Sequence, residues 1–264
     1  MFNLDETSTY SSDQPPTLVI SDDSSSSSPT VPEPAIPTST TLLLMTSADG
    51  DRYRVPIFIP FASVPAEYIA ASNQSLFFVP SDTGHMTLAL FQKIFFSSFV
   101  PDIVAKRAAV GKSGMHALLI MDGGVGHFDE NVLKCAKGNL IDVIRLPSHT
   151  SHLIQPNDMF VNANLKHSFQ KWKLTPSEHT ASSIRTNFMQ NLKYALSFAF
   201  NPKTIETSWR VSGWNPFEPS KVLETLPQSS SEWASSLIKP SKAPSAAVTG
   251  AFYYSSDSNI DLLK

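Results

Sequence analysis

Apolar positions recur along the chain with two different periods. Phe2 to Thr7, Thr41 to Ser47 and Arg52 to Ile59 are β-compatible runs or alternate in polarity. The Asp-Gly turn within Ala48 to Asp51 joins the last two, so the pattern predicts a strand followed by a hairpin. Thr87 is placed to cap the run LALFQKIFFSSFVPDIVAK, which sets Leu90, Ile94 and Phe95 on one stripe. That predicts a helix, interrupted or kinked at Pro101. Ala117 to Met121 is apolar, too short for a lone globular helix, and closed by Asp122 and a glycine-rich turn. It predicts a buried strand ending in a carboxylate.

Phe128 to Lys137 opens with Asp129 and Glu130 and stops at Gly138, predicting a crossover helix whose charges complement its dipole. Asp142 to Leu146 predicts a second strand, Asn157 to Trp172 a helix with Asp158 in its first turn, and Thr180 to Ala199 a further helix. Thirty-five residues separate Asp122 from Asp158, room for one helix and one parallel strand. Such a crossover returns the chain beside its own start. Asp122 is then at the carboxyl end of a strand, where open α/β sheets place their sites. Taken singly, Asp5 also reads as a turn cap, Asp122 as an acceptor for the Gly123 and Gly124 amides, and Asp158 as an N-terminal helix residue.

Composition narrows the class. The 264 residues, 41% hydrophobic, suffice for one core. The 20 prolines and many serines mark stretches that will not join it. Residues 8–40, with five consecutive serines from Ser24, predict a flexible insert, and residues 227–264 a disordered tail. One domain over 1–226 is the economical count. The net charge of −3 argues against a generally basic surface, but it is uneven. Residues 1–51 hold eight acidic groups and no Lys or Arg; the remainder sets 20 Lys and Arg against 15 Asp and Glu, a net +5. A mildly cationic body can receive a phosphate backbone, and it is equally an ordinary mixed surface. A single cysteine, Cys135, supports neither a disulfide framework nor a cysteine zinc site. No signal-peptide pattern opens the chain and no 18-residue apolar run occurs, so neither secretion by that route nor membrane spanning is expected. The glycines of DGGVGH do not follow G-x-G-x-x-G, and no Lys-Ser/Thr pair follows them, so a dinucleotide or phosphate-loop reading fails.

LLIMDGGVGHF, LPSHTSHLIQPND and NANLK resemble the blocks of DDE superfamily endonucleases of the pogo, Tigger, Jerky and centromere-protein-B type, with DGHxSH, LPPHTTHLLQPLD and PLK signatures. MFNLDETS is similar to that family's first aspartate motif, NxDET. SADG from Ser47, SDTGHMT from Ser81 and WRVSGWNPFEP from Trp209 resemble further family blocks in the same order. Asp5, Asp122 and Asp158 thereby match the first, second and third catalytic aspartates. Departures are Ser8 for a glycine, His85 for a tryptophan, Gly124 for the first histidine of DGHxSH, and Asn157 and Phe160 around the third aspartate.

The resemblance implies an α/β, ribonuclease H-like fold: a mixed five-stranded sheet flanked by helices, its first, fourth and fifth strands side by side. It implies a divalent-metal-dependent DNA endonuclease or transposase domain, acting by hydrolytic nicking and strand transfer, with DNA as partner, a nuclear location and room for a homodimer. No small-molecule substrate is expected. Met1 stands four residues before Asp5, so the amino-terminal helix-turn-helix region of such proteins is expected to be missing here. A catalytically inactive, transposase-derived DNA-binding or scaffold protein is the alternative. Two Mg²⁺ or Mn²⁺ ions held by Asp5, Asp122 and Asp158 would suit phosphodiester chemistry, because hard cations prefer carboxylate oxygen. Three gathered carboxylates repel one another, and a cation relieves that repulsion. His127, His149, His152 and Lys166 match family positions and are candidate DNA phosphate contacts. The histidines also fit zinc binding, proton transfer or structural hydrogen bonding, and Lys166 fits a solvated surface lysine.

Overall fold

The structure, a computed structural model, describes residues 1–10, 39–72, 76–124, 126–170 and 181–224. Among them, β1 (Phe2–Tyr10), β2 (Ser39–Ser47), β3 (Val55–Ile59), β4 (Leu76–Pro80), β5 (Ala117–Met121) and β6 (Ile141–Arg145) form one sheet in the order β4-β3-β2-β1-β5-β6. β1 pairs antiparallel with β2 along its whole length, from Phe2 opposite Ser47 to Tyr10 opposite Ser39. On its other side it runs parallel to β5, with Phe2 opposite Leu119 and Asn3 opposite Ile120. β5 and β6 are parallel, joined through α4 (Glu130–Gly138), the expected crossover. Asp129 caps α4 by accepting the Asn131 N–H at 2.9 Å.

The first strand and the two strands of the crossover are neighbours, the arrangement of a ribonuclease H-like sheet. One strand more than expected is present. Short α1 (Ala66–Ala71) leads into β4, which extends the sheet beyond the hairpin by pairing parallel with β3. Its sequence, LFFVP, has neither alternation nor a flanking hairpin turn; only the exposed edge of β3 gives it a partner. β1 and β2 also reach further than expected. Thr7, Thr9, Thr40 and Thr41 are buried, so the strand pairing claims both ends of the stretch taken for an insert. The rest of that insert, 11–38, and the tail, 227–264, lie outside the described residues.

The sheet separates two cores. On one face Phe2, Leu4, Leu43, Met45, Leu119 and Met121 meet α2 (Leu88–Ile94), a π-helical turn (Phe95–Phe99) and α3 (Val100–Ala109). Phe91, Phe95 and Phe99 are fully buried there, each contributing about 1.5–3 kcal/mol. The helix does not break at Pro101. The wider π turn just before it absorbs the missing N–H, and the helix runs continuously from Leu88 to Ala109. Those 22 residues are long and apolar enough by composition to cross a bilayer, although no uninterrupted apolar run marks them out. Their flank of Phe91, Phe95, Phe99 and Ile103 is buried in this core, the role of a core helix.

On the opposite face Leu42, Leu44, Ile57 and Ile120 pack under α7 (Val161–Gln170), α8 (Ala181–Ala199) and α9 (Pro202–Val211). A short α5 (Ser151–Ile154) precedes the helix expected from Asn157, which is divided into α6 (Pro156–Met159) and α7. Pro156 has no N–H to continue the preceding turn, and Phe160 leaves helical geometry at φ −137°. A last short helix, α10, spans Ser220–Glu224.

Candidate active site

Alternation along β1 assigns the first carboxylate its face. Phe2 and Leu4 enter the core beneath α2 and α3; Asn3, Asp5, Thr7 and Thr9, all buried, point to the α6–α7 side. On β5, Ile120 belongs to that same side, and the alternation carries on to Asp122 just past the strand end. Continuing the β1–β5 register by two residues sets Asp5 level with Asp122.

The third carboxylate arrives on α6, held down by a buried polar network. Asn3 donates from Nδ2 to the Ile120 carbonyl (3.0 Å) and accepts the Asn157 N–H (2.9 Å). Asn157 in turn donates to the Leu44 carbonyl (3.0 Å) and accepts from Thr46 Oγ1 (2.7 Å), which accepts from Trp209 Nε1 (3.3 Å). The residue beside Asp158 is thus tied to β1, β2 and, through Trp209, to α9. The asparagine standing where the family pattern has leucine is the centre of this clamp.

Asp5 and Asp158 converge on Asn162. Its Nδ2 donates to Asp5 Oδ2 at 2.6 Å and to Asp158 Oδ1 at 2.8 Å, so the two carboxylates face one point. Asp5, 3% exposed, also accepts the Glu6 N–H at 2.8 Å. Burial first, then the charges of Asp158 and Asp122, push the Asp5 carboxyl well above the usual carboxylate range. Glu6, on the other face of β1, is likewise pushed up by burial.

Asp122 is engaged by the turn that follows it. Its Oδ1 lies 2.9 Å from His127 Nδ1 and accepts the Gly124 N–H at 3.0 Å. His127 Nδ1 also faces the Asp122 carbonyl at 3.2 Å; both partners are acceptors, so this nitrogen carries the proton. That hydrogen bond, against the opposing effect of partial burial, holds the Asp122 carboxyl below its ordinary value. Gly124 permits the arrangement, because a Cβ there would lie 2.6 Å from His127 Cε1 and 3.0 Å from Asp122 Oδ1. Among the described residues, no three His, Cys, Asp or Glu side chains gather closely enough to hold one ion. The chemistry of the Asp5–Asp158 pair nonetheless fits a hard cation: two oxygen donors aimed at one position, one of them carrying an unfavourable buried charge.

The expected phosphate contacts divide. His127 is a correction: it is fully buried and packs on Phe91, with ring centroids 4.8 Å apart, so it orients Asp122 and presents nothing to a nucleic acid. His149, His152 and Lys166 are exposed; His149 lies in the loop before α5 with φ +64°, His152 on α5 and Lys166 on α7. Sequence reasoning missed Asn162, whose signal was its position one helical turn beyond Asp158. It also missed Arg145 at the exposed end of β6. The Arg145 guanidinium stacks over Phe128 at 5.1 Å, lies against Gly123 and contributes positive charge at Asp122.

A family model described as DDE superfamily endonuclease matches residues 39–209, which include Asp122 and Asp158. The chain belongs to this family. Asp5 precedes the matched residues. Among curated proteins, the chain is 30% identical over 114 residues to the MFS-type transporter clz9 of Cochliobolus lunatus, 43% of this chain and 12% of that protein. The chain thus spans about an eighth of that relative's length. Two solved structures similar to this DDE chain are a Mos1 transposase catalytic domain with raltegravir and manganese and the Mos1 mariner paired-end complex with manganese. The first has a TM-score of 0.46 and 12% identity over 80% of each chain. The second has a TM-score of 0.47 and 14% identity over 83% of this chain and 55% of that one.

Proposed function

We propose that the chain is the catalytic domain of a divalent-metal-dependent DNA endonuclease of the transposase type, acting in the nucleus. The observation that carries this reading is the buried Asp5 carboxylate meeting Asp158 across Asn162 inside a sheet whose matched residues belong to the DDE family. Asp5, Asp122 and Asp158 would hold two Mg²⁺ or Mn²⁺ ions, which activate a water and neutralise the charge that grows on the phosphate. Asp122 joins the set by leaving His127 and Gly124.

The protein's own groups orient the reaction. A water oxygen attacks phosphorus, the bond to the 3′ oxygen breaks, and that oxygen leaves as a hydroxyl after taking up a proton. The same site then orients the new 3′ hydroxyl toward a second phosphodiester, with no covalent bond to protein. Arg145, beside Asp122, and Lys166, exposed on α7, would pair with backbone phosphates. DNA is the partner, and a second copy of the chain is compatible with acting on two DNA ends.

A second reading, a transposase-derived DNA-binding or scaffold protein without catalysis, is favoured by one observation: Asp122 Oδ1 is already engaged by His127 and the Gly124 N–H. Nicking of supercoiled plasmid separates the two. The endonuclease nicks with Mg²⁺ or Mn²⁺ and loses at least about a hundredfold in rate on Asp122→Asn or Asp158→Asn, the scale of losing a group that stabilises transition-state charge. DNA binding without metal-dependent nicking supports the scaffold.

A further inference from the structure

Asn162 is 3% exposed, and both hydrogens of its amide nitrogen are spent on the two carboxylates. Its carbonyl oxygen, equally buried, has no hydrogen-bond partner among the described residues. An orphaned acceptor of this kind costs about 1–3 kcal/mol unless something else uses it. Its nearest polar neighbours are the carboxylates of Asp5 and Asp158, and as the side chain is placed no donor among the described residues reaches it. A half-turn about Cβ–Cγ would exchange nitrogen and oxygen and point three oxygens at one place. Without a cation those oxygens repel; with one they form a hard, all-oxygen donor set.

We propose that Asn162 is both a stand-in for the cation and a further ligand to it. Its amide nitrogen bridges Asp5 and Asp158 while the metal is absent, and its carbonyl oxygen coordinates the divalent ion once the metal is bound. The inference rests on the reading that this site takes such a cation, and adds a ligand that the three-aspartate pattern does not contain. It explains how two carboxylates stay together within the sheet before metal arrives. It also supplies a third oxygen for a first ion between Asp5 and Asp158 before Asp122 leaves His127.

Mn²⁺ alone, without DNA, tests this on the full chain by titration calorimetry and by thermal melting. The unsubstituted chain binds Mn²⁺ and melts higher with it. Asn162→Leu, close in size but without polar atoms, binds Mn²⁺ about 10- to 100-fold more weakly, the range seen when a group tuning a metal site is removed. Asn162→Asp keeps an oxygen donor and adds a charge. It melts below the unsubstituted chain without metal, and Mn²⁺ raises its melting temperature by more than it raises that of the unsubstituted chain. Asn162 acting only in packing would lower the metal-free melting temperature in both variants and leave Mn²⁺ affinity unchanged. Unchanged affinity in Asn162→Leu overturns the proposal, as does an Asn162→Asp response no larger than the unsubstituted chain's where Asn162→Leu does not fold. Failure of the unsubstituted chain to bind Mn²⁺ overturns this proposal together with the metal-site reading; binding that ignores Asn162 overturns this proposal alone.

Discussion

Asp5 is a buried charge beside a second carboxylate, and the metal-free protein bears its cost. Folding favours its protonated form, so its stabilising contribution is complete below the ordinary carboxyl pKa and is lost as pH rises through the elevated folded-state value. Asp5→Asn should therefore raise metal-free stability near neutral pH by about 0.5–2 kcal/mol, a common gain when an active-site strain is removed. The gain should shrink as pH falls and the native carboxyl takes up its proton. Melting temperatures of the two proteins as pH is lowered from neutral check this; a pH-independent difference would mean the charge is not the cause. Asp5, Asp122 and Asp158 could each be singled out in the sequence because they recur inside motif blocks. The role of His127 could not, since a histidine on a glycine-rich turn reads as exposed until the absent Cβ of Gly124 is seen to admit its ring against Asp122.

At the scale of elements, the position of Asp158 depends on how α6 is clamped. Four residues far apart in sequence, Asn3, Thr46, Asn157 and Trp209, share one buried hydrogen-bond network. Asn157→Leu keeps the backbone bond to Asn3 but removes the side-chain donor to the Leu44 carbonyl and the acceptor of the Thr46 O–H, which keeps only Trp209 Nε1. The expected loss is about 1–3 kcal/mol, read as a lower melting temperature or denaturation midpoint. A neutral result would mean that α6 is held by packing alone. The long helix under the sheet was legible from its stripe, yet its passage through Pro101 was not, because a π turn is a response of the backbone to packing on both sides. β4 was illegible for a related reason: LFFVP becomes a strand only because β3 offers an open edge.

Over the whole molecule, a body carrying net +5 outside the acidic first 51 residues should bind duplex DNA through phosphates. Two contacts, from Arg145 and Lys166, would make affinity fall about tenfold between roughly 50 and 200 mM salt. Replacing either with alanine should lower the slope of log affinity against log salt by about 1. A salt-independent affinity in fluorescence anisotropy would exclude both as phosphate contacts.

The amino-acid order alone determined the alternation of strands and helices, the crossover between Asp122 and Asp158, and the motif blocks that carry family membership, because periodicity and local turn chemistry are written in short stretches. Only the folded chain decided which acids meet. Asp5 reaches Asp158 because β1 lies between β2 and β5 with its odd residues facing α6 and α7, and Asn162 stands between them because α7 restarts after Phe160. Asp122 is drawn to His127 by contacts that no spacing encodes. Side-chain direction at such a site depends on register, burial and the room left by a missing Cβ, all of which exist only after distant segments have packed.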